Sequence, residues 1–137
     1  MANFKLAHKN TLSWEGGYVD MPEDNGNWTG AKRGIGVLIG TNKGITAWRL
    51  KDYLGRTPTV DEMKNLSDEV AEAIYKQHYW GLIKGDEIID QDIANDIYDS
   101  AVNMGPYRSI VLAQRTLGIT ETGKMDDDTL RAINNLP

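Results

Sequence analysis

The chain of 137 residues contains no cysteine, which excludes disulfides, zinc–thiolate centres and cysteine nucleophiles. Its only two histidines, His8 and His78, are far apart and form no H-E-x-x-H pattern, so a helical zinc-hydrolase site is not expected. No G-x-S-x-G serine elbow, P-loop or EF-hand spacing occurs, and Gly34-Ile35-Gly36 with Gly40 misses the dinucleotide fingerprint by one residue. Positive charge is scarce. Fifteen Lys and Arg against twenty Asp and Glu leave a formal net charge of −5, the wrong balance for non-specific nucleic-acid binding. No stretch approaches the roughly 20 apolar residues of a membrane span. Residues 1–16 carry Lys5, Lys9 and Glu15 and do not read as a signal peptide.

What is there suits a helical protein with one irregular excursion. Phe4, His8, Thr11 and Leu12 share a helical face, predicting a helix from Phe4 to Trp14 that Gly16-Gly17 ends. From Tyr18 to Thr41 the chain is rich in glycine and turn signals, and Val37-Leu38-Ile39 is its clearest β segment. Helical patterning then resumes over Ile45–Leu54, over a short segment opened by a Thr59/Glu62 capping box, and over Ser67–Trp80. Further helices are predicted for Asp92–Met104, where Ile93, Ile97, Ala101 and Met104 share a face, from Gly105-Pro106 to Leu117, and for Asp126–Asn134. The fold class expected is mainly α (α+β), with a small β-hairpin after the first helix. A soft boundary at Lys84–Asp90 divides it into 1–84 and 85–137, packed as one unit.

Carboxylates, glycines and aromatics are the inventory of a glycosidase, which needs one group to protonate the leaving oxygen and one to stabilise the cation or activate water. Glu15 stands out. At a helix C-terminus it faces the negative end of the macrodipole, and Trp14 and Tyr18 flank it. Both effects disfavour its charged form, as a general acid requires. Asp20, Glu23 and Asp24 follow in the excursion, where a loop carboxylate can oppose the helix-end one; each also reads as a solvated loop charge.

Glu15-Gly16-Gly17-Tyr18-Val19 followed by Asp20, Pro22, Asp24 and Gly26 resembles the opening motif of glycoside hydrolase family 108. Thr41-Asn42-Lys43-Gly44-Ile45-Thr46 and Tyr79-Trp80 continue the likeness. So do Asp99-Ser100-Ala101-Val102-Asn103-Met104-Gly105-Pro106, the start of a peptidoglycan-binding segment, and Ala113-Gln114-Arg115 with Leu117-Gly118, Gly123, Asp128-Thr129-Leu130 and Ala132-Ile133. The resemblance implies a lysozyme-like N-acetylmuramidase of the group also known as secretion activators. It implies Glu15 as catalytic acid, with Asp24 as the aspartate and Thr41 as the threonine of the hairpin; Thr29 is the alternative threonine. Asn27–Gly40 lengthens the family's short link and adds Trp28, Lys32 and Arg33 as a basic, aromatic flap. The chain stops at Pro137, where relatives continue into a helical, aromatic-rich tail.

The expected activity is hydrolysis of the β-1,4 bond between N-acetylmuramic acid and N-acetylglucosamine. Glu15, Asp24 and Thr41 are expected to be catalytic, and Tyr18, Asp20, Trp28, Tyr79 and Asn103 to contact substrate. Tyr79 also reads as core packing, and Asn103 as a helix-end residue bonding backbone. No metal or organic cofactor is expected. The expected partner is the peptidoglycan glycan strand, met by a monomer without nucleic-acid binding or membrane insertion. Action at the bacterial wall requires export by a phage holin or another route. The rival readings are a non-catalytic wall-binding or secretion-accessory protein, and a lytic transglycosylase.

Overall fold

The computed structural model describes residues 1–11 and 17–137, and these are mainly helical with little strand. Seven α-helices occur among them: α1 (Phe4–Thr11), α2 (Ala47–Leu54), α3 (Val60–Lys64), α4 (Asp68–Tyr75), α5 (Gln91–Met104), α6 (Pro106–Leu117) and α7 (Asp127–Asn134). Their ends follow local chemistry. Thr46, Asp90 and Asp126 cap α2, α5 and α7 with side-chain oxygens, each satisfying an amide that the helix leaves unpaired. Thr59 and Glu62 form the reciprocal capping box at α3. Gly105, at φ 92°, breaks α5 from α6, and Pro106 takes the first position of α6, where a missing N–H costs nothing.

Two compact units result, Met1–Trp14 with Tyr75–Pro137, and Glu15–Ile74. In the first, α5 packs against both α1 and α6. Ala94, Ile97, Tyr98 and Ala101 form its buried stripe, so the helix is rotated from the predicted face: Ile93 is half-buried and Met104 exposed. The reason is aromatic. Tyr98 meets Phe4 edge-on at 5.8 Å and Trp80 at 5.7 Å, and its hydroxyl lies 2.8 Å from His8 Nδ1. Large rings with one polar tip fix the rotation better than Ile93 or Met104 can. Beyond α4, Lys76–Trp80 forms a π-helical turn, sealed by Gly81 N–H donating to the Lys76 carbonyl at 2.8 Å. A Cβ on Gly85 would lie 2.2 Å from the Trp80 ring, so only glycine lets the chain cross there.

The second unit is built on Ile39, Ile45, Leu50, Met63, Leu66 and Ile74. The excursion is less than a hairpin of strands. It contains isolated antiparallel bridges at Val19–Thr41 and Trp28–Leu38, and a further one, Asn42–Ile45, follows it. Ala31, Gly34, Gly36 and Gly40 all have positive φ, which repeatedly turns the backbone out of the extended region. No helix of the described residues is long and apolar enough to cross a membrane.

Candidate active site

Glu15 and the predicted end of the first helix lie outside the described residues. The other carboxylate and hydroxyl candidates stand on the excursion that follows, and its geometry is set by a residue that the sequence reading passed over. Asn27 is 1% exposed. Its amide nitrogen donates to the Met21 carbonyl at 2.9 Å, and its side-chain oxygen accepts from the Thr41 hydroxyl at 2.5 Å. Its backbone carbonyl accepts from Ile39 N–H at 2.9 Å and Gly40 N–H at 3.0 Å. One buried residue thus ties together the turn at Met21 and Thr41 through its side chain, and the return segment through its backbone carbonyl. The available signal is polar: an Asn beside Gly26, where the chain must turn and a buried amide must find partners.

Thr41 is fixed twice, by its hydroxyl to Asn27 and by backbone pairing with Val19 at 2.7 and 2.8 Å. Having donated its proton, the hydroxyl keeps lone pairs for a further donor such as water. Asp24 precedes the helical turn Asn25–Asn27 and is exposed, and its carboxylate does not cap that turn. Asp20 and Glu23 are exposed as well.

Tyr18 is half-buried, and its hydroxyl donates to the Ile39 carbonyl at 2.8 Å. Burial, with a contribution from the Asp20 carboxylate, pushes its phenol above the ordinary range, so it stays a neutral donor. Gly40, at φ 97°, lies flat against this ring; a Cβ there would fall 2.7 Å from it. Lys64 Nζ sits 5.5 Å from the Tyr18 ring centroid, within cation–π range.

The inserted segment is an ordered loop. Trp28 donates its indole N–H to the Pro22 carbonyl at 2.9 Å, and Val37 N–H donates to the Thr29 hydroxyl at the same distance. Thr29 is buried and committed to this loop, whereas Thr41 is the threonine joined to Asn27. Lys32 and Arg33 stand exposed at the tip.

Residues 8–105 match the glycosyl hydrolase 108 family. The chain belongs to this family. It is therefore related to glycoside hydrolases, and the match takes in the whole excursion. Among solved structures, Brucella abortus SagA superposes with a TM-score of 0.76 at 31% sequence identity, over 98% of this chain and 70% of that one. No curated protein matches the sequence.

The two remaining family candidates lie in the first unit. Tyr79 is half-buried in the π-helical turn and packs against Tyr75 at 5.5 Å. Asn103 is exposed on the last turn of α5 and donates to the Asp99 carbonyl at 2.9 Å, so its amide nitrogen serves its own helix.

Proposed function

We propose that this family member is a peptidoglycan hydrolase of the N-acetylmuramidase type, cleaving the β-1,4 bond between N-acetylmuramic acid and N-acetylglucosamine. The observation that carries the reading is Asp24. It is an exposed carboxylate on a segment pinned by Asn27, nine residues after Glu15 in a glycosyl hydrolase 108 sequence. Glu15 protonates the leaving glycosidic oxygen. Asp24 stabilises the oxocarbenium-like charge or takes a proton from water, and Thr41 holds that water through its remaining lone pairs. Tyr18, Asp20 and Trp28 contribute substrate contacts, as do Tyr79 and Asn103. Residues 1–84 carry catalysis and 85–137 contact the wall. The protein acts as a monomer at the bacterial wall.

Mass spectrometry of soluble fragments from purified peptidoglycan tests the bond assignment. Reducing ends on muramic acid support a muramidase. Anhydro-muramic ends would move the enzyme to the transglycosylases, and an absence of fragments on several wall types would favour a binding or secretion-accessory role. Carboxylates about 5 Å apart give retention, and roughly 6.5–9.5 Å gives inversion, so the anomer first formed reports their working separation.

A further inference from the structure

Helix α2 buries Ala47 and Leu50 and leaves Trp48 half-buried, with part of its indole open to solvent. Trp48, Lys51, Asp52 and Gly55 stand at i, i+3, i+4 and i+7, so they share one face of the helix. That face and Thr29 of the inserted loop line an open cleft of about 470 Å³, within the range of about 300–1,000 Å³ usual for small-ligand sites. The Arg49 guanidinium stacks on the Trp48 ring at 4.3 Å and lies 3.8 Å from the Asp52 carboxylate, which holds the indole in one orientation. Arg49 itself does not line the cleft. At the end of the helix Gly55 has open space where a Cβ would be, so the cleft is unobstructed there.

We propose that this cleft is a glycan subsite that takes an N-acetylated sugar ring, resting on the glycan-cleaving reading above. The C–H face of a pyranose stacks on the indole, while Lys51 donates to, and Asp52 accepts from, its hydroxyl and acetamido groups. A purely apolar ligand would gain nothing from Lys51 and Asp52, and a small anion would gain nothing from the indole. The insertion that lengthens the family's short link thereby supplies one wall, at Thr29, of a specificity-determining site.

The test uses the full chain with ¹⁵N-labelled tryptophan and a peptide-free N-acetylglucosamine tetramer as probe. Trp48→Phe assigns the indole signal, and Trp48→Ala and Asp52→Asn perturb the site, each checked for native circular dichroism. The expected result is a saturable shift of the Trp48 indole resonance, a dissociation constant raised about tenfold by Trp48→Ala, and partial retention in Trp48→Phe. On peptidoglycan, KM rises in Trp48→Ala while kcat stays within about twofold. Hydrolysis of peptidoglycan with an unmoved Trp48 resonance and unchanged KM would overturn this subsite alone. Neither hydrolysis nor tetramer binding by the native chain would overturn the glycan reading with it.

Discussion

Replacing Asn27 with alanine is the sharpest structural test of the excursion. The substitution removes the donor to the Met21 carbonyl and the acceptor of the Thr41 hydroxyl, in a position 1% exposed. Each lost hydrogen bond is worth about 1 kcal/mol net, and each buried partner left unsatisfied costs about 1–3 kcal/mol. The Met21 carbonyl still accepts from Asp24 N–H at 3.1 Å, and Met21 is exposed to water, so the total is about 2–4 kcal/mol rather than the full sum. In a domain of this size that corresponds to a fall in Tm of roughly 10 °C, readable by calorimetry or circular dichroism. Asn27→Asp sharpens the test. The new carboxylate can still accept from Thr41 but confronts the Met21 carbonyl with an oxygen. Burial and this repulsion raise its folded-state pKa above the unfolded value, so the folded state favours the protonated acid. Stability of Asn27→Asp should therefore be greatest at low pH and fall as pH rises through the raised pKa. A loss under about 1 kcal/mol in Asn27→Ala, or an Asn27→Asp defect that does not grow with pH, would refute the clamp.

Three further outcomes follow from particular contacts. The Arg56 guanidinium, with the Thr59 amide, lowers the Glu62 carboxyl to about 2, so its contribution is present above the ordinary carboxylate range and lost as pH falls towards that value. The Tm difference between the native chain and Glu62→Gln should accordingly be clear at pH 6 and close as pH approaches 2. Gln114 is fully buried and contacts Thr122, Lys124 and Thr129 through its amide nitrogen while accepting from Gly123 N–H, so Gln114→Leu should cost about 3–5 kcal/mol in denaturant unfolding. Gly40→Ala must place a Cβ against the Tyr18 ring at φ 97°; a penalty of about 1–3 kcal/mol is expected, with loss of lytic rate on peptidoglycan in a turbidity assay.

Helix ends were the most legible part of this chain. Thr59 with Glu62, Gly105-Pro106 and the acidic start of α7 each announce a terminus by chemistry confined to a few residues. The α5 register was not legible, because Phe4 and Trp80 decide it and only tertiary packing brings those rings to Tyr98. The π-helical turn at 76–80 leaves no mark in a period-of-3.6 pattern, and the bridges of the excursion are too short to show alternation. For the site, motif likeness pointed to Asp24 and Thr41, but Asn27 looked like the first residue of an insertion. Its role comes from hydrogen bonds to Met21 and Thr41, six and fourteen residues away, which composition cannot reveal. The place of Trp48 was no more legible, because an apolar residue beside a helix start gives no sign of which face it takes.

Glu15 as general acid is the central claim, and the direct measurement is the initial rate of muropeptide release by Glu15→Gln at equal folded concentration, with its Tm compared to that of the native chain. Removal of a general acid should lower the rate by about 10²–10⁴-fold with Tm nearly unchanged. A Glu15→Gln enzyme that is folded and releases muropeptides at the native rate would contradict the account.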